Sequence, residues 1–237
     1  MTDEGIRLSK RVMELRSCSR REAELLIEGG WVRVDGAVVE EPQFRVTAQQ
    51  VEVDPAGSVM AVAPATLLLH KPAGLSEVQA LRLLGPASRS PDDASGIRTV
   101  KKHFTQLEPL LFLPEPASGL MVFSQDPRIV RKLTEDARVI EQELVAEVAG
   151  EIRPNGLALL CHGLAFNGKP LPPVKVSWQN EHRLRFALKG IAPGQVPSMC
   201  EQVGLRVTAL KRIRIGRVPM AQIAPGQWRY LHEGERF

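Results

Sequence analysis

The sequence predicts an α+β protein in two parts, a small helix-and-hairpin module followed by a larger domain on a mostly antiparallel central sheet. Three observations lead there. Two short stretches with helical apolar spacing open the chain and run into a tight hairpin. From residue 67 onward, strand-like segments outnumber helical ones. Neither a Gly-x-Gly-x-x-Gly nor a phosphate-loop sequence occurs, which argues against a doubly wound nucleotide fold. The expected division is 1–60 for the module, 61–66 for a linker and 67–237 for the larger domain.

In the module, Leu8, Val12 and Leu15 recur at helical spacing, with Arg7, Lys10 and Arg11 largely off that stripe. After a break at Ser17-Cys18, Ser19 and Glu22 have the spacing of a capping box. Ala23, Leu26 and Ile27 supply the buried face of the second helix, and Gly29-Gly30 ends it. Trp31 to Val34 and Ala37 to Val39 read as a hairpin around Asp35-Gly36, and Val51 to Asp54 as a last strand. Arg20 and Arg21 fall in the first turn of the second helix, where the macrodipole disfavours cations by roughly 0.3–1 kcal/mol each. The free N–H groups at that end would suit an anion, so two arginines there suit a phosphate better than they suit the helix. Two solvated arginines tolerating a small penalty are the plainer alternative.

In the larger domain, Leu67 to Gly74 is an apolar strand running into a turn, and residues 85–98 have the composition of a mobile loop. A short helix is expected around Val100 to Phe104, a strand at Leu120 to Asp126, and a helix at Ile129 to Leu133 with Asp126 as its cap or turn. Val139 to Ile152, Val174 to Trp178, Arg183 to Leu188 and Val207 to Ile215 read as strands, and Val196 to Val203 as a helix. Along the last of these strands, Leu210 to Arg217 alternates apolar with cationic residues.

Composition sets broad limits. The 237 residues are 43% apolar with a mean hydropathy of −0.11, ordinary for a globular protein. No apolar run approaches the ~20 residues that span a bilayer, and the acidic start does not read as a signal peptide. Cys18, Cys161 and Cys200 are scattered, as are the five histidines, so free thiols in a reducing cytoplasm are expected, with no metal and no cofactor. Net charge is +4 and pI about 9.1, which permits a nucleic-acid partner without requiring one. Six basic residues and one acid lie between Arg7 and Arg21, and five basic residues and no acid between Leu205 and Arg217. Yet residues 1–54 carry eight basic against eleven acidic side chains, so a cationic face there has to be a stripe.

Arg7-Leu-Ser-Lys10, Cys18-Ser-Arg-Arg-Glu-Ala23, Ile27 to Gly36 and Val51-Glu-Val53 resemble the S4 RNA-binding domain element by element. Lys71-Pro-Ala-Gly74, Leu120 to Asp126 and Gly226-Gln-Trp-Arg-Tyr-Leu231 are similar to segments of the bacterial S4-domain ribosomal-RNA pseudouridine synthases. The resemblance implies a small N-terminal S4 (αL) RNA-binding domain before a pseudouridine-synthase-like domain. It also implies phosphate contacts from Arg7, Lys10, Arg20, Arg21 and Arg33, and from Lys211 or Arg212 and Arg214 on the last basic strand.

The same resemblance locates three losses. The family's nucleophile loop, Gly-Arg-Leu-Asp-x-x-Thr-x-Gly-Leu, becomes Leu111 to Leu120, with Pro114 in place of the aspartate. Leu144 stands where the family has a tyrosine over the base, and Pro197 where an arginine pairs with the aspartate. Isomerising uridine requires an unstacked base and, in this family, a carboxylate nucleophile. Proline and leucine supply neither attack nor proton transfer. Without the carboxylate a buried arginine would be an uncompensated charge, so the losses are mutually consistent. The expectation is an RNA-binding protein without isomerase chemistry, acting as a monomer on structured rRNA or tRNA, a rRNA stem-loop or pre-ribosomal particle above all. The alternative is an active synthase using Glu115 as a replacement carboxylate. On an extended segment Glu115 would face away from Pro114's side.

Overall fold

In the computed structural model, residues 5–237 are described; the acidic opening Met1–Glu4 lies outside the described residues. The chain forms two units, Met1–Pro64 with Ile97–Gln106, and Ala65–Gly96 with Leu107–Phe237. Residues 97–106 therefore group with the first unit, although the sequence places them inside the larger domain.

The first unit contains β1 (Ile6–Arg7), α1 (Leu8–Arg16), α2 (Arg20–Glu28), β2 (Val32–Val34), β3 (Ala37–Val38), β4 (Arg45–Val46) and β5 (Val51–Val53). Its sheets are β3-β2-β5 and the pair β1-β4, all antiparallel. Leu8, Val12, Ala23, Leu26, Ile27, Val32, Val34 and Val46 form the core. Leu15, in the last turn of the nine-residue α1, is exposed, so the buried stripe of that helix stops at Val12. The capping box at α2 is present: the Glu22 N–H donates to Ser19 Oγ, and the Ser19 N–H donates to Glu22 Oε2 at 2.8 Å.

The second unit contains β6 (Thr66–Lys71), α3 (Glu77–Leu81), β7 (Glu108–Leu110), β8 (Ser118–Ser124), α4 (Pro127–Glu135), β9 (Glu141–Gly150) and α5 (Gly156–Cys161). A hairpin β10 (Ala165–Phe166) and β11 (Lys169–Pro170) follows, then β12 (Lys175–Asn180), β13 (Arg183–Lys189) and α6 (Gln195–Gln202). The chain ends through β14 (Leu205–Ile215), β15 (Val218–Pro219) and β16 (Trp228–Tyr230). One sheet runs β12-β13-β9-β14-β8-β6-β16, with β15 on β14 and β7 on β8. Among the strand pairings of the described residues, only β14–β8 is parallel. Leu144, Ala146 and Val148 of β9 pack with Leu184, Phe186 and α6; Leu68, Leu120, Val122, Leu133 and Ile215 build a second cluster. The Asp126 carboxylate caps α4 by accepting from the Arg128 N–H at 2.9 Å.

Two local expectations change. Residues 101–104 form a single 3₁₀ turn rather than an α-helix. The 85–98 stretch, expected to be mobile, is organised up to residue 96 by one buried carboxylate. Asp93 accepts from the guanidinium of Arg89 (2.9 Å), the N–H of Ser95 (2.9 Å) and the N–H of Tyr230 (3.1 Å). Burial would raise its pKa, but these donors hold it below the usual aspartate value. Arg89 also lies 5.0 Å from the centre of the Tyr230 ring. Tyr230 is thus a core residue of β16, edge-on to Trp228.

Candidate functional site

The three substituted positions converge. Pro114, in the loop between β7 and β8, Leu144 of β9 and Pro197 of α6 all line one cavity of about 530 Å³. Leu144 lies across from Arg212 of β14 on one side and Phe186 on the other. Pro197 occupies the first turn of α6, where a missing N–H leaves no helical hydrogen bond unmade. The remaining wall is mostly apolar, with Phe112, Leu113, Leu133, Ile191, Val196 and Leu210. Its polar members are Thr134, Gln142, Arg138 and Arg212, and no carboxylate, tyrosine or cysteine lines it among the described residues. Glu115 is exposed and absent from the wall.

Arg212 reverses one expectation. The alternating strand implied an exposed cation, but Arg212 is only 2% exposed. Its Nε donates to Leu120 O (2.8 Å), one terminal nitrogen to Phe112 O (3.3 Å) and Gln142 Oε1 (3.0 Å), the other to Leu111 O (2.7 Å). Every acceptor is neutral. Burial pushes the pKa down to about 9, which still leaves the guanidinium charged at neutral pH. A buried arginine therefore persists without a carboxylate because carbonyl dipoles of the loop offset its desolvation.

The reason Arg212 and Arg214 part company is a β-bulge. The register of β14 against β9 pairs Arg212 with Leu144 but Arg214 with Glu143, leaving Ile213 without an opposite partner. One extra residue shifts side-chain parity, so two cations two positions apart face opposite ways. Arg214 bridges Glu141 (2.6 Å) and Glu143 (2.7 Å), and Glu143 also pairs with Arg185. The Arg214 hydrogen bond, assisted by that of Arg185, holds the Glu143 carboxyl below the usual glutamate range against the effect of burial. Arg214 is committed to an ion-pair network; Lys211 is half-buried.

A second buried cation holds the far side of the same loop. The fully buried Lys71 ammonium donates to Pro72 O (3.0 Å), Leu75 O (2.8 Å) and Glu115 O (3.2 Å), and the Gly74 N–H also donates to Glu115 O. Burial lowers its pKa. Gly119 gives the Ser118-Gly119-Leu120 frame a structural reason to be kept. It pairs with Arg212 where β8 meets β14, at φ +111°, and a Cβ there would sit 2.2 Å from Arg212 O.

In the first unit, Arg7, Lys10 and Arg20 line a pocket of about 270 Å³. Arg45 joins them, donating to Gly5 O at 2.9 Å. The sequence held no signal for Arg45, because its place depends on a two-residue pairing in which Arg7 lies opposite it. Arg20 also bridges Glu24 at 2.9 Å. Arg21 and Arg33 are exposed but outside this pocket, and Arg33 donates to Gly36 O at 3.0 Å. No cluster of potential metal ligands occurs among the described residues, and no helix there is long and apolar enough to cross a membrane.

The S4 domain family matches residues 6–51. An RNA pseudouridine synthase of Aquifex aeolicus, itself uncharacterised, is 28% identical and aligns over 97% of this chain and 94% of its own. The dual-specificity RNA pseudouridine synthase RluF of Salmonella typhi is 26% identical over 99% of this chain and 78% of its own. Ribosomal large subunit pseudouridine synthase B of Bacillus subtilis is 29% identical, covering 97% and 94%. A crystal structure of a pseudouridylate synthase shares the fold, with a TM-score of 0.59 over 97% of both chains at 18% identity. With the S4 match at one end and near full-length similarity to synthases, the chain is similar along nearly its whole length to the S4-type ribosomal-RNA pseudouridine synthases.

Proposed function

We propose that this protein binds structured ribosomal RNA through its S4 unit and does not isomerise uridine. The observation that carries the reading is the wall of the 530 Å³ cavity: Pro114, Leu144 and Pro197 meet there, and no carboxylate joins them among the described residues. Covalent attack on a sugar carbon needs a nucleophile, and ring deprotonation needs a base. Apolar side chains, two guanidinium groups, the Gln142 amide and a Thr134 hydroxyl with no general base among the described wall residues to activate it supply neither. Glu115 gives the active-enzyme alternative little support, since its backbone oxygen is held by Lys71 and Gly74 and its side chain is off the wall. The RNA-binding half rests on the cations gathered in the first unit and on the S4 match.

The role that fits is an RNA chaperone or ribosome-assembly factor acting as a cytoplasmic monomer. Pseudouridine mapping of ribosomal RNA from cells with and without the gene tests it. Identical maps are expected. One uridine left unmodified in the deletion strain, and converted by the purified protein, would establish an active enzyme instead.

A further inference from the structure

We infer that residues 97–106 act as a basic strap that completes the S4 unit by neutralising its acidic edge, so that RNA binding by that unit depends on the strap being docked. The inference deepens the RNA-binding reading and, for its effect on affinity, rests on it.

The contacts are specific. The Arg98 guanidinium lies 3.8 Å from the centre of the Trp31 ring, donates to Gly30 O at 3.1 Å and approaches Asp54 at 3.6 Å. The Lys101 N–H donates to Glu40 Oε2, and its ammonium to Glu41 Oε1, both at 2.5 Å. The Lys102 ammonium reaches Glu28 at 3.0 Å. Val100 and His103 are buried. Gly30, at φ +70°, leaves space beneath Val100 that a Cβ would narrow to 3.3 Å.

The charges match the contacts. Residues 1–54 carry a net −3, residues 55–64 carry no charge, and Arg98, Lys101 and Lys102 add three positives, bringing the unit to neutral with His103 uncharged. The four acids they engage, Glu28, Glu40, Glu41 and Asp54, account for much of the excess that made the module look unsuited to a polyanion. Unmasked, they would repel RNA over a Debye length of about 10 Å. Masked, they oppose the Arg7 and Lys10 cations of the pocket less.

Hydrogen exchange and RNA binding on the full-length protein separate masking from direct contact. In an Arg98→Ala/Lys101→Gln/Lys102→Gln variant, the His103 and Thr105 amides, both bonded within the strap, should exchange at least about tenfold faster while amides of the β9–β14 ladder stay unchanged. Affinity for a ribosomal RNA stem-loop should fall severalfold with the salt slope altered by less than one. A slope reduced by two or three would mean that these side chains touch phosphates, overturning the masking role. Unchanged exchange, or lost protection with unchanged affinity, would also overturn it. The swap Lys101→Glu/Glu41→Lys should restore protection, which guards against a variant that merely unfolds; failure of the swap in a folded protein counts against the ion pair. If the wild type binds no RNA, both the masking role and the RNA-binding reading fall, and the exchange measurement alone judges whether the strap is held.

Discussion

The pocket of the first unit and the cavity of the second are lined in opposite ways. In the pocket, Arg7, Lys10, Arg20 and Arg45 surround a small space with no acid among the described residues. In the cavity, cations are also present, but Arg212 spends its donors on loop carbonyls and the wall between is apolar. Arg7 and Lys10 give the first concavity a cationic lining; in the second, Arg212 is consumed in holding its own loop. Family resemblance at a site can thus persist for different reasons. Retained cations in the first unit point to a ligand, while the retained frame in the second is needed by the fold whether or not chemistry happens there.

The largest expected effect tests that second claim. Gly119→Ala should destabilise the second unit by about 3 kcal/mol or more, read by denaturant unfolding, because its Cβ meets backbone at a positive φ. A near-neutral result would show that the glycine serves something other than the β8–β14 approach. Next, Arg212→Met should cost about 2–3 kcal/mol by leaving the carbonyls of Leu111, Phe112 and Leu120 short of donors. If stability holds while RNA binding disappears, Arg212 belongs with the ligand-facing cations and the contrast fails.

Arg7→Ala/Lys10→Ala should weaken RNA binding roughly tenfold and lower the salt slope by about two, with unfolding little changed. An unaltered slope in a filter-binding series would remove these residues from the interface. The smallest effect concerns Glu143. Its carboxyl is held below the ordinary glutamate value of roughly 4.3, so its stabilisation is present above that pH and is lost as pH falls through the lower folded value. Glu143→Gln should cost about 1 kcal/mol at neutral pH and nothing in strong acid. Parallel stability curves for the two proteins across that range would exclude the assignment.

What the sequence could reveal depended on how far apart the partners lie. The capping box of Ser19 and Glu22, the Asp126 cap and the turn at Asp35-Gly36 are local, and residue types alone announce them. The convergence of Pro114, Leu144 and Pro197 was reachable through the family frame, which carries long-range information that periodicity lacks. The bulge at Ile213 was not, since alternation along β14 looks unbroken until β9 is laid beside it. Asp93 could not be read either, because Tyr230, one of its donors, lies 137 positions away. The docking of residues 97–106 on Trp31 and Glu41 was hidden in the same way, since residue types announced only a short helix around Val100 to Phe104.

The threading of the two units has a temporal consequence. The backbone leaves the first unit at Pro64, returns at Ile97 and departs again after Gln106, so the 32 residues Ala65–Gly96 of the other unit are synthesised before Arg98, Lys101 and Lys102 can reach their places. At translation speeds of roughly 5–20 residues per second, the nascent N-terminal unit waits some seconds for its last piece. Its maturation on the ribosome is therefore timed by the arrival of downstream sequence.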